Sequence, residues 1–233
     1  ECAFWIPLLA RGGGMPDRIA YWIPYLFISW PEGMATGREI WGFRKEVANI
    51  AIPQAGQPAT FTCQGRVFDP FSRDTQARMA PIVTLHRPGM MPPMTSAGEH
   101  LTEMLEAIIG YWRKVWWPDR HELPASELDL AMLVGKMALA RKLPIVNLKQ
   151  FRDAAHSNLA CYQAIIESTC TPTSSGGWGL LDDGFVVDLP RYDSHRIAED
   201  LGVTGQTGVP LVFGCWAKLD FTADAGREAW RAG

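Results

Sequence analysis

Residues Arg18 to Trp30 read RIAYWIPYLFISW. Nearly every position is apolar, and aromatic and β-branched side chains dominate. A half-buried strand alternates polar with apolar residues, and a surface helix shows a 3.6-residue stripe; this run shows neither. It describes a strand covered on both faces, in the interior of a sheet.

Working outward, Pro31-Glu32-Gly33 is expected to turn the chain. Ala35 to Ile52 is expected to form a further extended segment, with Gly37 and Gly42 as bulges or points of close approach. Thr60 to Phe68, TFTCQGRVF, alternates as a strand does, and Asp69-Pro70 breaks it. Ala80 to Leu85 suits another strand. The run Arg87-Pro88-Gly89-Met90-Met91-Pro92-Pro93-Met94 has the composition of a loop. Four later stretches, PIVNLKQF, ACYQAIIESTC, GFVVDL and LVFGCWAKLDF, return to strand texture. In the last, Leu211, Phe213, Cys215, Ala217 and Leu219 share one face, which implies an antiparallel sheet.

Helical signals are fewer. Ser96 and Glu99 form a capping box, and Leu101, Leu105, Ile108, Trp112, Val115 and Trp116 follow at helical spacing up to Pro118. Asp129 to Arg141 is a second helical pattern, interrupted by Gly135. So many strands with so few helices predict a mainly β or α+β fold. Its core is expected to be a curved or barrel-like antiparallel sheet with peripheral helices, since closure removes exposed edges. No repeat or linker divides residues 1–233, so a single domain is expected.

The chain of 233 residues is 47% hydrophobic and 20% charged, and ten tryptophans and ten phenylalanines supply a large core. A net charge of -3 carries no basic footprint, which argues against a nucleic-acid partner. No apolar run reaches the ~18 residues needed to span a membrane. The five cysteines, Cys2, Cys63, Cys161, Cys170 and Cys215, are odd in number and contain no C-x-x-C pair. That pattern does not describe a disulfide framework. The five histidines are dispersed without metal-ligand spacing, so no metal is expected. The chain opens on Glu1 in an apolar run without a methionine. An N-terminal segment is therefore expected to precede it, and the cytoplasm is the default location.

One stretch asks a chemical question. Gly37 to Glu46 reads GREIWGFRKE, with a lysine set among two glycines and three bulky apolar residues. Lys45 is either a strand-edge charge or an amine kept partly dry for chemistry. A nucleophilic lysine must spend time as the free amine, yet at a pKa of ~10.4 only about one in 2,500 is neutral at pH 7. Burial or a neighbouring cation lowers that pKa.

Gly37-Arg38-Glu39-Ile40, followed by Gly42, Phe43 and then Lys45, resembles the reactive-lysine segment of the acetoacetate decarboxylase family. In that family a G-R-E motif precedes an aromatic-proline-lysine-lysine stretch, and Lys45 falls on the first lysine. The likeness extends through Tyr21 to Ser29, to Glu1 with its spacing to Ile6-Pro7, and to Asn147-Leu148-Lys149 and Ala160 to Ser168. It implies a cone-shaped antiparallel β structure with peripheral helices, assembly as a homo-oligomer, and no cofactor. It also implies a small oxo-acid substrate held as a Schiff base on Lys45, with Glu1 as the carboxylate beside the amine. Arg38, Glu39, Phe43 and Trp22 are candidate substrate-binding or pocket residues.

Two positions depart from the family pattern: Arg44 stands for the proline and Glu46 for the second lysine. On an extended segment both lie on the face opposite Lys45 and are able to pair with each other. Depression of the Lys45 pKa then falls to desolvation by Phe43, Trp41 or Trp22. Aldol condensation with dehydration through the same iminium is the alternative chemistry, and a non-catalytic binding barrel is the alternative of another class. Arg38 with Glu39 as a structural pair, Lys149 as a solvated strand residue, and Arg152, Asp153 and His156 as loop caps are the plainer readings of those charges. Trp112, Trp116 and Trp117 are expected in the core or in subunit contacts before any substrate platform.

Overall fold

The computed structural model describes residues 1–10, 18–91, 142–181, 184–211 and 214–232. Its backbone is dominated by strands: β1 (Cys2–Ala10), β2 (Arg18–Ile28), β3 (Lys45–Ala51), β4 (Pro58–Val67) and β5 (Arg78–Met90). Then follow β6 (Leu143–Arg152), β7 (Ala160–Leu181), β8 (Val186–Asp188), β9 (Val209–Pro210), β10 (Gly214–Ala223) and β11 (Arg227–Arg231). Two short α-helices, α1 (Pro31–Thr36) and α2 (Ile197–Asp200), accompany them. The helical patterns at 96–117 and 129–141, with Trp112, Trp116 and Trp117, lie outside the described residues. Among the described residues no helix is long and apolar enough to cross a membrane.

All eleven strands join one sheet in the order β10-β7-β6-β2-β3-β4-β5-β8-β9, with β1 on β2 and β11 on β7. Pairing is antiparallel, as the alternation implies, except at the centre. There β2 runs parallel to both β3 and β6. β1 covers one edge of β2 along its length, from Cys2 opposite Phe27 to Ala10 opposite Arg18. The other edge is therefore shared. It pairs with β6 at Tyr21 and with β3 from Leu26 to Ile28. Pro24, which has no N–H to donate, lies between the two contacts, so the ladder opens there into a fork.

β2 is buried throughout Ile23 to Ile28, as its composition predicts. One face joins Tyr25 and Phe27 to Ala48, Cys63, Val67, Ile82 and Leu189. The other joins Ile23, Leu26 and Ile28 to Phe43, Ile145 and Cys170. Each such buried side chain contributes about 1.5–3 kcal/mol. A bulge explains how Ile23 and Leu26 reach the same cluster. Phe4 pairs with Tyr25 but Ile6 pairs with Trp22, so β2 carries one extra residue at Ile23-Pro24.

Two segments differ from the sequence expectation. Ala35 to Trp41 is helical rather than extended. Pro31 does not merely turn the chain; it occupies the first turn of α1, where a missing N–H costs nothing. The helix then widens into a π-helical turn, Gly37–Trp41. Arg87 to Met90, expected in a loop, extends β5: Met90 lies opposite Pro58 of β4, the register shifts between Pro58 and Thr60, and Gly89 adopts φ 98°. Sheet pairing overrides the local Pro-Gly signal there.

Candidate active site

The segment from α1 to Phe43 fills the fork between β3 and β6. Gly42 ends the π-helical turn in the left-handed region at φ 73°. Its N–H donates to the Arg38 carbonyl at 3.2 Å, and the Phe43 N–H donates to the Gly37 carbonyl at 3.2 Å. A β-carbon at Gly42 would lie 2.6 to 2.9 Å from Cβ, Cα and N of Lys149 on β6. Both conformation and space therefore demand glycine. Lys149 itself is half-buried, and its Nζ reaches the Ile40 carbonyl at 3.4 Å. Its exposed ammonium thus keeps its solvent contact, as expected, while bracing the turn.

Lys45 is the first residue of β3 and lies opposite Leu26, which lies opposite Ala3. Residues directly opposite share a face, so Lys45 projects onto the side that holds Leu26, Ile28 and Phe43. Glu1 lies on that side too, two residues before Ala3. The amine is 3.3 Å from the Gly33 carbonyl and 5.2 Å from the centre of the Phe43 ring. Gly37 makes the room: a β-carbon there would lie 2.6 Å from Cδ and Cε of Lys45 and 2.8 Å from Nζ. Burial pushes the amine below its ordinary 10.5, and the charge of Glu1 pulls the other way. The structure thus sets Lys45 against the buried Phe43 ring, with Glu1, itself exposed, near enough to act on the amine through its charge.

Trp22 is not brought to them. Strict alternation from Leu26 would place it on the face of Lys45, but the bulge at Ile23-Pro24 reverses the alternation. Tyr21 takes that face instead, its ring edge-on to Trp5 at 5.6 Å. Trp22 stays 40% exposed on the other side. Trp41 does belong to the site, packed beside Phe43 and anchored by its indole N–H to the Asp224 carbonyl at 2.8 Å. Arg38 and Glu39 are exposed on the π-helical turn. No ion pair joins them among the described residues, so neither the structural pairing nor a contact with Lys45 is found. Asp153 accepts the N–H groups of Ala155 and His156 at 2.8 Å each, closing the β6–β7 turn as a loop cap.

Arg44 and Glu46 do lie opposite Lys45, but they do not pair with each other. Glu46 receives a 2.9 Å hydrogen bond from Nε2 of His195, and the Ser194 hydroxyl meets Nδ1 of the same ring at 2.9 Å. Ser194 in turn accepts the Phe68 N–H at 2.9 Å. Arg44 stacks 4.5 Å from the centre of the Tyr25 ring and sits 3.8 Å from Asp200, which also accepts the Tyr25 hydroxyl. Burial pushes the Glu46 carboxyl up, yet the His195 hydrogen bond and the charges of His195, Arg44 and Arg38 bring it below its ordinary value. A carboxylate so engaged is no immediate neighbour of the Lys45 amine.

Sequence reasoning missed three participants. Gly33 supplies a carbonyl, and nothing in the sequence announces a backbone acceptor. Asn147 of β6 is 3% exposed, and its Nδ2 has no hydrogen-bond partner among the described residues. It falls on the same face as Ile145, within the β6 stretch that resembles the family. Cys170, opposite Leu143 on β7, is also in this cluster, and burial and then Glu1 push its thiol up to about 11.

A crystal structure of acetoacetate decarboxylase from Legionella pneumophila aligns with 97% of this chain at a TM-score of 0.54 and 13% identity. The fold is acetoacetate decarboxylase-like. At this identity the likeness concerns the acetoacetate decarboxylase-like fold alone. The chain spans 65% of the length of the Legionella structure. A second acetoacetate decarboxylase structure aligns with 95% of this chain and 66% of its own length, at a TM-score of 0.41 and 11% identity. No family model and no curated protein matches the sequence.

Proposed function

We propose that this acetoacetate decarboxylase-like chain is a carbon-carbon lyase that holds a small oxo acid as a Schiff base on Lys45. The observation that carries this reading is the setting of one amine: half-buried at the start of β3, lowered by desolvation, and given space by Gly37. The free amine adds to the ketone of a β-keto acid and loses water to form an iminium. Carbon dioxide then leaves, its bonding electrons pass into the iminium as an enamine, and protonation at carbon and hydrolysis return ketone and lysine. The iminium on the protein lysine is the electron sink, and acetoacetate decarboxylase itself is the known instance of a lysine activated for this use. The Phe43 face and the Gly33 carbonyl favour a cation at Nζ, so they suit the iminium as well as the ammonium.

Glu1 acts on Nζ through its charge, and it is the carboxylate we assign to proton transfer. The same assignment supports aldol condensation with dehydration as a second reading, since an enamine on Lys45 is a carbon nucleophile that adds to an aldehyde or takes a proton. Incubation with acetoacetate or pyruvate and borohydride, followed by peptide mapping, tests both. The expected result is a reduced adduct on Lys45. Carbon dioxide release from acetoacetate separates decarboxylation from condensation of pyruvate with an added aldehyde. No adduct with any oxo acid, or an adduct only on other lysines, favours a binding barrel without chemistry.

A further inference from the structure

The residues on both sides of Lys45 are held by one segment, Ser194 to Asp200, from the opposite face of the sheet. Glu46 is bound by His195, 3% exposed, whose ring is backed by Ser194 and lies 6.1 Å from the Phe27 ring. Arg44 is held between the Tyr25 ring and Asp200 at the end of α2. Ser194 is itself tied to the main chain at Phe68 just beyond β4. Successive side chains on a strand point to opposite faces. Fixing residues 44 and 46 to one side therefore commits Lys45 to the other, where burial lowers its pKa.

Resting on the proposed Schiff-base reading, we infer that His195 is a positioning residue for Lys45, acting through Glu46, with Asp200 in the same role through Arg44. Glu46, which replaces the family's second lysine, contributes by anchoring the strand rather than by its charge. This chain reaches a dry amine by clamping the backbone beside it.

The clamp and simple electrostatics predict opposite signs, which makes the inference testable. Removing a carboxylate near Lys45 lowers its pKa if charge is what matters, because an anion favours the ammonium. Losing the clamp raises it, because the amine regains water. Competitive acetylation against pH reports the Lys45 midpoint whether or not an oxo acid is captured. Glu46→Ala and His195→Ala are each expected to raise the midpoint by about one unit, a tenfold loss of free amine at neutral pH. Glu46→Gln keeps an acceptor for His195 and is expected to restore the wild-type midpoint. Asp200→Ala, at a partly exposed position, covers the case in which the other two fail to fold and is expected to raise the midpoint by a smaller amount. Unchanged or lowered midpoints in folded Glu46→Ala, His195→Ala or Asp200→Ala overturn the inference. Borohydride trapping in parallel separates the two claims. A wild-type chain that never traps an oxo acid sinks the lyase reading alone, whereas trapping that proceeds equally well in all variants sinks the clamp alone.

Discussion

Gly37 and Lys45 occupy one space. The α-carbon of the glycine lies so close to the lysine side chain that a single added methyl would sit 2.6 to 2.8 Å from Cδ, Cε and Nζ. The glycine at the head of the Gly-Arg-Glu motif is thereby explained as a cradle for the amine, eight residues on in the chain.

Gly37→Ala separates folding from reactivity. Alanine is the better helix former, by about 1 kcal/mol, and the atoms it meets are the far end of a flexible side chain that is able to swing away. Thermal stability is expected to stay within about 1 kcal/mol of wild type, while displacement of the amine slows adduct formation about 10- to 100-fold. Urea unfolding alongside trapping kinetics checks both halves.

Gly42→Ala has the opposite profile. Here the obstacle is the backbone of Lys149, which has no freedom to move, and φ is 73°. The left-handed conformation alone costs about 1–2 kcal/mol and the overlap adds to it. A loss of at least about 2 kcal/mol in chemical denaturation is expected, and stability close to wild type would contradict the packing of the turn in the fork.

Asn147 is a buried amide without a partner for its Nδ2 among the described residues. Asn147→Leu keeps the branched outline of the side chain and removes an unmatched donor, so stability is expected to be unchanged or higher. If the amide serves an oxo acid, the affinity of trapping falls about tenfold, the worth of one hydrogen bond. Gain of stability with loss of affinity is the combined outcome to measure.

Acid stability depends on Glu46. Its carboxyl is held below the ordinary 4.5 in the fold. The folded state therefore binds fewer protons than the unfolded chain as pH approaches that value. The stabilisation is complete above 4.5 and drains away as pH falls through the lower folded value. Glu46→Gln is expected to flatten this limb in unfolding free energies measured between pH 7 and pH 3, with a loss at neutral pH of about 1 kcal/mol.

Much of the fold is legible in the residues alone. The apolarity of Arg18 to Trp30 announces a doubly covered strand, and Ile23 to Ile28 are buried on both faces while Trp22 and Trp30 stay exposed. The Gly-Arg-Glu stretch points to Lys45, and Glu1 does fall on its face. What is not legible traces to single residues whose effects are non-local. Pro24 opens the fork and reverses the alternation, so Trp22 and Tyr21 exchange faces. The π-helical turn is set by Gly42 packing on β6, more than a hundred residues away, and local extended character gives no hint of it. Arg44 and Glu46 look like a pair in sequence. Their partners, Asp200 and His195, arrive only when α2 folds back on the sheet.

The proposed Schiff-base chemistry stands or falls with the Lys45 amine, and its titration is the most direct test. With ε-13C-labelled lysine and the resonance assigned through Lys45→Arg, the Lys45 signal is expected to titrate with a midpoint below 10.5, in the direction that burial imposes. A midpoint at or above 10.5 would show an amine that water still reaches freely, and would contradict its use as a nucleophile.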